Sequence, residues 1–112
     1  AILRRIRAWA GASLELRIDA NEAWEPREVP KNVEPLLPYG LASLEQPVPH
    51  AAVDQLAPLR GRIGLPIMLD ESLCCEQDAR RAIELGLCDL FNLRLSKCGG
   101  FVATLKLAAL AH

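Results

Sequence analysis

The stretch LPIMLD, residues 65–70, sets a proline and four large apolar side chains ahead of a single acid. An apolar run this short reads as a strand buried on both faces, which is the pattern of a parallel sheet. The same design recurs on either side of it. LELRID (14–19), LASLE (41–45) and CDLFNLR (88–94) are also short strand patterns that close on an ionisable residue. Asp19, Glu45, Asp70 and Arg94 therefore follow one another at intervals of 26, 25 and 24 residues, one structural unit about every 25 residues.

The segments between these strands read as helical. An opening helix places Leu3, Ile6 and Ala10 on one face with Trp9 beside them, which leaves the arginines of RRIR (4–7) as a solvated face. Between the first two strands Pro26, Pro30, Pro35 and Pro38 leave room only for short helical pieces. HAAVDQLAPLRGRIG (50–64) groups Val53, Leu56 and Leu59, despite Pro58, while EQDARRAIELG (76–86) groups Ala79, Ala82, Ile83 and Leu85 and stops at Gly86. A last helix after Gly99-Gly100 carries Leu105, Leu107, Ala108 and Leu110. Strands alternating with helices predict an α/β fold of four consecutive βα units with parallel strands. Groups at the carboxyl ends of such strands meet on one rim, where α/β folds place their sites. Four units are half of an eight-stranded (β/α)8 barrel. The barrel is incomplete, and its edges await either more chain or another copy.

Composition narrows the function. Thirteen basic residues against fourteen acidic ones, a net charge of −1, provide no field for nucleic acid or an anionic membrane, and 51% hydrophobic residues are enough for a core. No apolar run approaches the roughly 18 residues of a membrane span, and no signal peptide opens the chain. Cys74, Cys75, Cys88 and Cys98 show neither a C-x-x-C pair nor structural zinc spacing, which points to reduced thiols in a cytoplasmic protein. An initial Ala and the helical ending LKLAALAH read as one segment of a longer chain.

Three carboxylates on one rim repel each other unless a cation joins them. Ligation by oxygen alone at Asp19, Glu45 and Asp70 favours Mg²⁺ over Zn²⁺, with Mn²⁺ as the substitute. Asn21 lies two residues past Asp19 on the same side, and Glu71, alternating with Asp70, is expected to support the ligands without being one. The bland alternative is that Asp19 and Asp70 cap the helices that follow them, although Glu45 is a poor cap.

LRIDANEAW, LEQPV, PIMLDESL and NLRLSKCGG, in this order and spacing, resemble strands three to six of the enolase superfamily barrel, and within it the muconate lactonizing enzyme subgroup. That resemblance covers nearly all 112 residues, as part of the C-terminal barrel domain without its capping domain, first strands and last strands. It implies that Asp19, Glu45 and Asp70 bind Mg²⁺. It also implies removal of a proton next to the carboxylate of a small substrate, through an enediolate, by a Lys or His base. One base of the subgroup, in a Lys-x-Lys motif, falls upstream of this chain, so the segment alone is expected to be inactive.

The second cation of the family ends an Asn-aliphatic-Lys triplet, which here reads Asn92, Leu93, Arg94. Asn92 thus joins Asn21 and Glu71 as a supporting residue. A guanidinium keeps its proton at any accessible pH, so Arg94 fits an electrostatic role and favours a one-base reaction: cycloisomerisation or dehydration of the o-succinylbenzoate type. Lys97 is the alternative base. A continuing strand would point it away from Arg94, whereas a turn before Gly99 would bring it back and favour epimerisation of dipeptides or N-acylamino acids. A non-catalytic metal- or carboxylate-binding relative is the rival from another class. Trp24, His50 and His112 read as packing or incidental residues, and Ser72 as a cap.

Overall fold

The computed structural model describes residues 2–111. Strands β1 (Arg17–Asp19), β2 (Ser43–Glu45), β3 (Ile67–Leu69) and β4 (Leu90–Phe91) form one sheet in sequence order, every neighbouring pair parallel. Each strand is shorter than its run: β1 and β2 are the last three residues of theirs, and β3 and β4 lie within theirs. Helices α1 (Ile2–Ala10), α2 (Val29–Val33), α3 (Glu76–Leu85) and α4 (Gly100–Leu110) supply the α part of the repeat.

Alternation along the strands divides the sheet into two faces. Leu44, Ile67 and Leu69 face the helices and are at most 1% exposed. They pack with Val48, Val53, Leu56, Leu73, Ala79, Ala82 and Leu87 in one cluster. Burying such a side chain contributes roughly 1.5–3 kcal/mol, so this face holds the units together. Cys88 is part of the same cluster, and burial pushes its thiol up to about 11, which keeps it an apolar filler. Ser43, Glu45, Met68 and Asp70 alternate onto the opposite face.

Several helical expectations change. Residues 50–64 do not form one α-helix: a 3₁₀ helix, His50–Leu56, buries Val53 and Leu56, and turns follow it. On α3, Ala79 and Ala82 are buried as expected, whereas Ile83 and Leu85 are 52% and 45% exposed, since two alanines are enough to dock this helix. On α4 only Leu107 is buried, and Leu105 stays exposed. Helix α1 buries no residue, and Trp9 is 90% exposed. Arg7 is not a member of a merely solvated face. Its guanidinium donates to the carbonyls of Gly11, Leu14, Tyr39 and Gly40, tying α1 to the loops before β1 and β2. Between β1 and β2 the proline-rich segment does break into short pieces, Pro26–Glu28, Val29–Val33 and Glu34–Tyr39.

Candidate functional site

Register sets the rim. Asp19 pairs with Glu45 across β1 and β2, while Glu45 stands beside Met68. Asp70 lies two residues beyond Met68, just past the end of β3, and Asn92 lies just past the end of β4. Asp19, Glu45, Asp70, Asn92 and Arg94 thus follow the carboxyl ends of four adjacent strands.

The centre of this rim is Asp70, a carboxylate only 4% exposed. A buried charge needs a partner, and Asp70 has two. Arg94 Nε donates to its Oδ1 at 2.8 Å and Nη2 lies 2.5 Å from Oδ2, a two-pronged pair. Lys97 Nζ donates to the same Oδ1 at 2.5 Å and also to the main-chain carbonyl of Asp70. The hydrogen bond from Arg94 to Asp70 holds the Arg94 proton still more firmly than usual. Neither Asp19 nor Asp70 caps a long helix. Asp19 Oδ1 accepts the main-chain amide of Asn21 at 2.8 Å in a local turn, so Asn21 meets Asp19 through its backbone.

Lys97 arrives by a turn. After Arg94 the chain winds through residues 95–99, with the amides of Lys97 and Cys98 on the Arg94 carbonyl at 3.0 and 2.9 Å, and Gly100 N on Leu95 O at 2.9 Å. Gly99 and Gly100, at φ +83° and +84°, turn the chain into α4, a conformation open to glycine. The strand does not continue, so alternation no longer aims Lys97 away from Arg94.

The supporting residues behave differently from one another. Asn92 Nδ2 donates to Glu45 Oε1 at 2.6 Å, reaching from the end of β4 to the end of β2 across the intervening strand. Glu71 Oε1 lies 3.8 Å from Arg94 Nη2, while its Oε2 is buried with no hydrogen-bond partner among the described residues. Ser72 is no helix cap. It is buried against Gln46, and Cys75 occupies the cap position of α3, with Asp78 accepting the amides of Cys74 and Cys75. Trp24 packs on the core, His50 meets Glu22 through its main-chain amide, and His112 lies outside the described residues.

Gln46 was not singled out from the sequence. Its sign there is its place directly after Glu45 in LEQPV, one of the stretches that carry the family resemblance.

The donor chemistry fits a hard divalent cation: three carboxylates at adjacent strand ends, with no imidazole or thiolate among them, and a buried, unpartnered Glu71 oxygen beside them. Among the described residues, no three acidic, His or Cys side chains are already gathered at ligand distances. Glu45 is engaged by Asn92, and Asp70 by its two cations.

The family model described as "Enolase C-terminal domain-like" matches residues 1–112. A D-Ala-D/L-Ala epimerase of Cytophaga hutchinsonii is 40% identical over 110 residues, covering 98% of this chain and 30% of that protein. An o-succinylbenzoate synthase of Bacillus subtilis is 37% identical over 95 residues, covering 85% of this chain and 25% of that protein. A crystal structure of a dipeptide epimerase from Cytophaga hutchinsonii, complexed with Mg and the dipeptide D-Ala-L-Val, superposes with a TM-score of 0.90 at 40% identity, over 97% of this chain and 30% of that one. The chain spans less than a third of the length of each of these relatives. Four parallel strands in sequence order, acids at their carboxyl ends and a match along the whole chain place this protein in the enolase superfamily, in its mandelate racemase and muconate lactonizing enzyme branch.

Proposed function

We propose that the protein containing this chain moves a proton on the carbon next to a carboxylate in a small molecule, working on both faces of that carbon, as an epimerase of dipeptides or related acylated amino acids. The observation that carries this reading is the pairing of Lys97 with Asp70. It sets an amine able to exchange a proton on the rim, beside a guanidinium that cannot. The likeness to dipeptide epimerases supports the same choice.

Asp19, Glu45 and Asp70 are the residues that would hold Mg²⁺, which supplies positive charge against the substrate carboxylate as its negative charge doubles. A base outside this chain takes the proton from one face of the carbon. Lys97, as an ammonium, delivers a proton to the other face, and in the reverse direction Lys97 as a neutral amine removes it. Arg94 keeps its proton throughout and adds fixed positive charge. Asn92 orients Glu45. On this reading the 112-residue segment alone is inactive, because it holds only one of the two bases.

A one-base dehydration or cycloisomerisation is the second reading, favoured by Arg94 in the triplet Asn92-Leu93-Arg94 and by the likeness to an o-succinylbenzoate synthase. The two separate in D₂O. With the full-length protein, Mg²⁺ and a dipeptide panel, proton NMR is expected to show exchange of the α-hydrogen in both epimers. Lys97→Met should slow exchange of one configuration by about 10²–10⁴-fold. Exchange of one configuration only in the unaltered protein would establish the one-base reading.

A further inference from the structure

We infer that Gln46 is a positioning residue that sets the relative placement of Asp19, Glu45 and Asp70, and through it the affinity of the rim for a divalent cation. This rests on reading those three acids as the cation's ligands.

Gln46 is 0% exposed and sits at φ +32°, a region that side-chain-bearing residues rarely enter. Its main chain continues the sheet past the end of β2. Gln46 N donates to Met68 O at 2.9 Å, and Gln46 O accepts Glu22 N at 2.8 Å, with Ala20 N on Glu45 O and Trp24 N on Pro47 O on either side, both at 3.0 Å. The backbone of one residue is therefore bonded both to the loop after β1 and to the end of β3.

Its side chain extends the link. Oε1 accepts the amides of Asp70 at 3.1 Å and Ser72 at 3.2 Å, while Nε2 donates to Val48 O at 2.9 Å and Ser72 Oγ at 2.8 Å. A primary amide offers two lone pairs and two hydrogens, and all four are used. No other side chain among the described residues bonds the main-chain amide of Asp70. β3 ends at Leu69, and the chain departs from the sheet at the residue whose carboxylate is the centre of the rim. The Gln46 amide is the surface against which that departure is set, so the direction of the Asp70 side chain depends on it. Gln46 follows Glu45 directly in the chain, bonds the main-chain amide of Asp70, and bonds that of Glu22, three residues past Asp19. A partner behind a ligand typically changes metal affinity by 10–100-fold when removed.

The test uses the full-length protein. At a temperature where both proteins are folded, Mg²⁺ titrated by calorimetry should bind Gln46→Met 10–100-fold more weakly than the unaltered protein, whatever fall in melting temperature the unpaired amides of Asp70 and Ser72 bring. A variant that melts lower yet binds Mg²⁺ unchanged would show a purely structural role and overturn the inference. If Gln46→Met does not fold, Ser72→Ala replaces it. This variant removes one acceptor of Nε2 and should weaken Mg²⁺ several-fold, and unchanged affinity there counts against the inference equally. Should the unaltered protein bind no Mg²⁺, the ligand reading fails by itself, and amide hydrogen exchange then decides the role of Gln46. Exchange at Asp70 and Ser72 at least tenfold faster in the variant retains it as the residue that orders this turn, and unchanged exchange rejects it.

Discussion

Asp70 shows how a single residue's surroundings decide its chemistry. Only 4% exposed, it would be costly as an isolated anion, and two cations from one turn surround it. Those cations differ in exposure, with the Arg94 side chain at 49% and Lys97 at 15%, so Lys97 is the more deeply committed of the two. Glu45 has the opposite character: half-buried, it takes one hydrogen bond from Asn92 and among the described residues is paired with no cation. Changing Glu45 to Gln keeps the shape and an oxygen for Asn92 while removing the charge. In the full-length protein this substitution should weaken Mg²⁺ at least about tenfold and bring turnover close to background, since affinity for hard cations follows ligand charge. Calorimetry beside a turnover assay checks both, and an active variant with unchanged affinity would remove Glu45 from the ligand set.

At the scale of an element, α3 depends on its first turn. The amides at a helix start lack partners within the helix, and the Asp78 carboxylate accepts those of Cys74 and Cys75 at 2.9 and 3.0 Å. Burial acts to raise the pKa of Asp78, but the Cys74 amide, the thiol and amide of Cys75 and the charge of His50 together outweigh it and hold the group below its ordinary value. The sign follows directly. A carboxylate depressed in the folded state adds stability above its unfolded pKa, and that stability fades as pH falls through the folded value. Asp78→Ala should therefore cost about 1 kcal/mol near neutral pH and much less once the pH is well below about 4. Thermal melts of both proteins across that range test it, and a difference independent of pH would exclude the carboxylate. The same element shows where pattern reading fell short. Helical spacing grouped Ile83 and Leu85 with Ala79 and Ala82, yet only the alanines reach the core, because close docking of the helix favours small side chains at the contact.

At the scale of the whole molecule, the open sheet matters most. β1 and β4 are its two edges, and α4 exposes Phe101, Val102 and Leu105 at 73%, 72% and 68%. Unpaired strand edges and apolar faces of this kind favour association. Expressed by itself, the 112-residue segment is expected to self-associate. Sedimentation at rising concentration should show this, and a monomer at all concentrations would contradict it. Among the described residues no helix is long and apolar enough to cross a membrane.

The four-strand order, the parallel direction and the acids at the strand ends were legible in the sequence. They arise from local patterns: apolar runs of fixed length, a spacing near 25 residues, and ionisable groups in the same place in each unit. Such patterns act through the chain's own periodicity and need no knowledge of distant contacts. The partners of the site were decided only by tertiary structure. Lys97 reaches Asp70 because a turn ending in two positive-φ glycines reverses the chain, and Gln46 meets Asp70 and Ser72 from 24 and 26 residues away. A hydrogen bond depends on angle and on tenths of an ångström, and those are set where separate strands end side by side, not by the order of residues within any one of them.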